Sequence, residues 1–176
     1  MIGLAELNIA EEAIFVVHLG GIFEHSPWVA EQALGDRPFA SVAALHTAMV
    51  SVVSRAGEDQ QVCLLRAHPE LAGREAVQGS MTAHSTVEQA GSGLFQCSSD
   101  ELTRLRDLNQ AYGEKFGFPF IIAVSGLSRA EIIGEFSRRL ELGREAEMAE
   151  ALKQISRITG LRLAASVVDQ VAEEPA

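Results

Sequence analysis

The chain is short of basic charge, of cysteine and of long apolar runs, and each shortage removes a class of function. Its 176 residues carry 14 lysines and arginines against 24 aspartates and glutamates, a net charge of −10. No basic stripe is present, and an acidic surface is repelled by phosphate backbones, so no nucleic acid is expected as a partner. A small anionic substrate stays open, because a few arginines can set the local potential of a cleft. No run of 18 apolar residues occurs, and the N-terminus lacks a basic region ahead of an apolar core. Neither a membrane span nor a secretory leader is therefore expected. The C-terminal Glu173-Glu174-Pro175-Ala176 carries no organelle address, which makes the cytoplasm the expected compartment. The two cysteines, Cys63 and Cys97, fit neither a disulfide framework nor a metal pattern and suit a reducing environment. Cys63, inside Val62-Cys63-Leu64-Leu65, reads as a small buried hydrophobe. His18, His25, His46 and His84 lack the spacing of zinc ligands, and there is no phosphate loop or nucleophile elbow. No metal and no cofactor is expected.

What is present is ordinary globular composition, 47% hydrophobic and 22% charged, in a chain long enough for one core. Apolar residues at Ile9, Ala13, Val16 and Val17 predict a helix from Ile9 to Leu19, stopped at Gly20-Gly21. Ser26-Pro27 predicts a helix start, with serine as the cap and proline in the first turn. Ser41 opens a helix with Val42, Leu45, Met49, Val52 and Val53 on one face, and a short helix follows from about Asp59 to Ala67. Ser98 and Glu101 form a capping-box pattern ahead of a stripe of Leu102, Leu105, Leu108, Tyr112 and Phe116. Gly117 ends that helix, and Ile121 to Val124 is either a buried extended strip or a buried helical turn. A helix after Ser128 turns Ile132, Ile133, Phe136 and Leu140 inward, and a last one runs from about Glu145 to Val171. No alternating strand pattern of useful length appears. The expectation is an all-α single domain, residues 1–176, of seven or eight helices, with a flexible tail from about residue 172.

Three places hold residue types suited to chemistry. His68 follows an apolar run and precedes Pro69, which restrains its backbone, and an imidazole exchanges protons near neutrality. A lone histidine is nevertheless more often a satisfied structural residue. Ser85-Thr86-Val87-Glu88 is a capping-box pattern that needs no function, yet a helix start of this kind also suits an anion, with Glu88 and Gln89 projecting from the first turn. Gly91 and Gly93 would let another segment or a ligand approach closely. Arg162 continues the apolar seam Ala151, Ile155, Ile158, so its guanidinium either snorkels outward or points inward to pair with a carboxylate.

Taken together the motifs resemble one family, the 2-oxo-4-hydroxy-4-carboxy-5-ureidoimidazoline (OHCU) decarboxylases of urate degradation. The likeness runs through Phe23-Glu24-His25-Ser26-Pro27-Trp28-Val29-Ala30-Glu31, Arg37-Pro38-Phe39, His68-Pro69-Glu70-Leu71-Ala72-Gly73, Ser85 to Gly91, Leu108-Asn109, Phe116 to Ile121 and Arg162-Leu163. It implies an all-helical fold, a homodimer, no cofactor, and conversion of OHCU to (S)-allantoin. By the same resemblance His68 is the catalytic acid/base and Glu88 its partner. Pro69, Ser85, Thr86, Val87, Glu88, Gln89 and the main chain of Phe120, Ile121, Ile122, Ala123 and Val124 would line the substrate site, with Arg162 contacting the substrate. Thr86 and Val87 stand where the family varies. A hydrolase acting on a related ureide, and a helical interaction module without catalysis, are the competing readings.

Overall fold

The computed structural model describes residues 1–73 and 78–169; the expected tail from about residue 172 lies outside them. Among the described residues the fold is all-α: α1 Leu4–Ile9, α2 Glu12–Leu19, α3 Trp28–Ala33, α4 Val42–Arg55, α5 Glu58–Arg66, α6 Ala83–Gly91, α7 Ser99–Phe116, α8 Arg129–Leu140 and α9 Arg144–Ser166. Two-residue strands β1 (Ile2–Gly3) and β2 (Val167–Val168) pair in parallel. The backbone groups into two compact units, residues 1–64 with 156 onward, and residues 65–155.

In the first unit the polar groups of loops are met by side chains. Asn8 exchanges two hydrogen bonds with the main chain of Phe39, at 2.8 and 2.9 Å, and Arg37 donates to the carbonyl of Ala10 at 2.7 Å. The Arg37-Pro38-Phe39 motif therefore does structural work here. α4 begins as its cap predicts, with the Ser41 hydroxyl accepting from the Ala44 amide at 3.1 Å. The first helix does not. The chain breaks at Ala10 and Glu11 into α1 and α2, and the buried face is Leu4, Leu7, Phe15 and Leu19, while Ile9 and Val17 are 87% and 78% exposed. An Ile9–Val17 stripe was the wrong phase. α3 starts one residue later than expected, with Pro27 in the cap position. The final helix ends at Ser166, short of Val171, because Val167 and Val168 pair with β1.

The second unit is built around an aromatic cluster. The capping boxes of Ser98 with Glu101 and of Ser128 with Glu131 both form, fixing the starts of α7 and α8. α7 then buries Leu105, Asn109, Tyr112 and Phe116, and α8 buries Ile132, Ile133 and Phe136. Phe120 stacks on Phe136 with centroids 3.9 Å apart, and the Tyr112 ring meets each of them edge-on at 5.5 Å. The expected inward residue Leu140 is only half-buried; its neighbour Arg139 is buried instead, held by an ion pair described below. Cys63 also departs from expectation. It is exposed, because α5 turns Val62, Leu64 and Leu65 inward.

Candidate active site

His68 leaves α5 as the proline requires. Its amide donates to the Leu65 carbonyl at 3.2 Å, closing the helix, and the residue is buried at 8% exposure. The loop that follows is tightly turned. Ala72 has a φ of 49°, in the left-handed region, and the Gly73 amide closes back on the Glu70 carbonyl at 3.2 Å. A Cβ at Gly73 would lie 2.5 Å from the Glu70 Cβ, so the position admits only glycine. Two side chains from elsewhere lock this turn. Gln89 accepts from the Ala72 amide at 3.0 Å and donates to the Glu70 carbonyl at 3.3 Å; its amide nitrogen also lies 3.3 Å from the Met81 sulfur. Asn109 on α7 donates to the Leu71 carbonyl at 3.0 Å, while its own carbonyl oxygen is buried with no hydrogen-bond partner among the described residues.

α6 starts earlier than its capping-box pattern suggests. Thr82, not Ser85, is the N-cap, its hydroxyl accepting from the Ser85 amide at 3.3 Å. Ser85 is thereby carried into the first turn and buried, and Glu88 and Gln89 stand in the second turn rather than the first. Helical spacing then divides the segment. Ser85 and Gln89, four apart, share the buried face; Glu88 is half-buried at its margin; Thr86 and Val87 are exposed. Gly93 has a φ of 73° and lies close to Arg129, but a side chain at Gly91 would meet open space, so Gly91 has no close neighbour to accommodate.

Phe120, Ile121, Ile122, Ala123 and Val124 form no regular structure and all are buried, Ile122 and Ala123 least so at 7% and 8% exposure. Their main chain is matched by side chains. Arg139 donates to the Ile121 carbonyl at 2.6 Å, and Gln154 accepts from the Ala123 amide at 3.1 Å. Arg139 is in turn forked onto Glu147, with Nε 2.9 and 3.0 Å from the two carboxylate oxygens, and lies 4.5 Å over the Phe120 ring. The Tyr112 hydroxyl donates to the same carboxylate. Burial, and then the bond to Glu147, push the Tyr112 phenol far above its ordinary range, so it remains a donor. Sequence reasoning missed this network. Its signal was present as Arg139 standing one residue from the apolar stripe, with Glu147 eight residues on.

Arg162 resolves in favour of pairing. Buried at 3% exposure, it donates to Glu24 at 2.8 Å and to the Ile22 carbonyl at 3.3 Å, and Glu24 is itself 1% exposed. Glu24 sits in the Phe23–Glu31 motif but was not singled out; only the carboxylate nature of Arg162's partner was legible. Among the described residues no group of three or more histidines, cysteines, aspartates or glutamates is arranged to hold a metal.

Comparison with known proteins gives this arrangement its context. The family model of the OHCU decarboxylases matches residues 8–164. A 2-oxo-4-hydroxy-4-carboxy-5-ureidoimidazoline decarboxylase of Haloferax volcanii is 40% identical over 161 residues, covering 92% of this chain and 94% of that protein. One from Mus musculus is 36% identical over 91% of this chain and 90% of its own length. A uric acid degradation bifunctional protein of a Bacillus strain is 38% identical over 93% of this chain, which spans only 32% of it. A crystal structure of an (S)-allantoin synthase superposes with a TM-score of 0.75 at 28% identity, covering 95% of this chain and 54% of that one. With a family match over most of its length and relatives aligned nearly end to end, the chain belongs to the OHCU decarboxylase family.

Proposed function

We propose that this protein decarboxylates OHCU to (S)-allantoin without a cofactor, His68 serving as acid/base and Glu88 as its partner. The observation that carries the reading is the loop after the buried His68: left-handed at Ala72 and locked by Gln89 and Asn109. A structural histidine needs no such restraint, whereas a proton-transfer group gains from holding one position. Loss of carbon dioxide leaves an electron pair, which the adjacent ring C=N of OHCU takes up as an enamine-like intermediate. The protein then has to orient the substrate, stabilise shifting charge and deliver a proton to one face, which sets the S configuration. His68 acts on the C4 hydroxyl or the departing carboxylate. Glu88 holds the ureido or hydroxyl group and tunes the imidazole, while Pro69, Ser85 and the amides of the Phe120–Val124 strip line the substrate. Thr86 and Val87, exposed, contribute through main chain alone.

The test follows freshly generated OHCU by circular dichroism with and without the protein. Rapid growth of the (S)-allantoin signal, lost in a folded His68→Asn variant, is expected; a trace no faster than spontaneous decay overturns the activity, and full stereospecific turnover by the variant overturns the role of His68. Arg162 is assigned the substrate's carboxylate. Arg162→Lys keeps a cation beside Glu24 but loses the planar fork, and is expected to raise KM about tenfold. Homodimerisation, consistent with exposed Ile9, Ile14 and Val17 on α1 and α2, is checked by sedimentation.

A further inference from the structure

The Phe120–Val124 strip poses a problem that its own residues do not solve. Irregular backbone in an apolar core must have its polar groups matched, or each one costs the free energy of a lost hydrogen bond. Two of them are matched by groups brought from α8 and α9: the Ile121 carbonyl by Arg139 and the Ala123 amide by Gln154. Those two positions are two residues apart, the repeat at which an extended chain directs its groups to one side. In a chain extended at that repeat the Ile122 amide and carbonyl face the opposite side, one donor beside one acceptor, the complement of an amide or ureide.

The supporting groups are themselves restrained. Gln154, 6% exposed, donates to Glu150 at 2.7 Å, which fixes the orientation of its side-chain amide and turns the oxygen to Ala123. Arg139 is locked by Glu147, which Tyr112 also binds. A buried ion pair is weak evidence for stability, since an apolar replacement of similar volume is often as stable. What an apolar replacement lacks is a donor to the Ile121 carbonyl. We propose that Gln154 and the Glu147-held Arg139 are positioning residues that hold one edge of the strip so that the Ile122 main-chain pair meets an amide or ureido group of the substrate. The assignment rests on the decarboxylase reading above.

Gln154 is the cleaner residue to change, because it leaves no buried charge unpaired. Gln154→Met fills the space and removes the acceptor. The double variant Glu150→Gln with Gln154→Glu reverses the pair and restores it. Two readouts are needed, the hydrogen exchange of the Ala123 amide and the kinetics on OHCU. In Gln154→Met the Ala123 amide is expected to exchange at least about tenfold faster and KM to rise about tenfold with kcat within twofold, the scale of one lost hydrogen bond. The double variant is expected to return both to wild type. Unchanged exchange overturns the contact; faster exchange with unchanged KM makes Gln154 merely structural and overturns its positioning role. Wild-type protein without turnover sinks the decarboxylase reading and the substrate half of this proposal, while exchange still judges the hold on the strip.

Discussion

Gln89 shows how much one side chain can fix. Both ends of its amide are spent on the loop after His68, its oxygen on the Ala72 amide and its nitrogen on the Glu70 carbonyl. Leucine at that position would leave two part-buried main-chain groups without these bonds. Gln89→Leu should therefore lose about 1–3 kcal/mol of stability in denaturant unfolding and lower kcat, because Ala72 is no longer held in a left-handed conformation. Three and two residues before Gln89, Thr86 and Val87 face outward. Thr86→Ala and Val87→Ala should stay within about 0.5 kcal/mol of wild type and keep full turnover, as exposed substitutions do. A loss of activity in the exposed pair, with Gln89→Leu unaffected, would invert the account of which face of α6 serves the site.

At the level of elements, what could be read in advance was whatever the chain decides locally. The Ser98–Glu101 box was read from its three-residue spacing and forms, and Ser128 with Glu131, where only a helix start was expected, forms a second; Ser98→Ala or Ser128→Ala should each cost about 1 kcal/mol by thermal unfolding. The Phe116-Gly117 helix end was equally legible, Gly117 taking a φ of 77°. Where partners lie far along the chain, the same reasoning stopped. That Arg162 would pair with a carboxylate was one of two readings, but Glu24 stands 138 residues away and nothing in the spacing points to it. Arg139 and Glu147 lie on either side of the break between α8 and α9, so a stripe drawn along one helix assigned the inward place to Leu140. In α1 and α2 the failure was of phase: apolar Ile9 and Val17 are exposed, and hydrophobicity alone does not tell a core residue from a surface one. The ion pair offers its own check. Arg139→Met alone should cost about 3–5 kcal/mol by stranding Glu147, and Arg139→Met with Glu147→Leu should recover part of it in a denaturation series, the Ile121 carbonyl and the Tyr112 hydroxyl staying unmatched.

The molecule as a whole carries ten more negative than positive charges, and two kinds of group should make its stability fall with acid. The first is His46 on α4. Burial holds its imidazole below the usual 6.5, outweighing the hydrogen bond at 2.9 Å to the Ser156 carbonyl, which works the other way. With the folded value below the unfolded one, the unfolded chain binds more protons across that interval. The His46 contribution is therefore complete above about pH 6.5 and is lost as the pH falls through it, levelling off below the folded value. The second is a set of carboxylates. Glu101 is held down by the Ser98 amide and by Arg129, Glu131 by the Ser128 hydroxyl and amide, and Glu135 by Arg138. Their folded values lie below the ordinary 4.5, so what they add is present above that pH and disappears as the pH drops through the folded values. His46→Gln cannot titrate in the upper window. Its melting temperature, measured beside wild type as the pH falls from 7.5 to 5, should decline less. Parallel curves over the upper window would show that protonating His46 costs the folded chain nothing, and would move that acid loss to some other group.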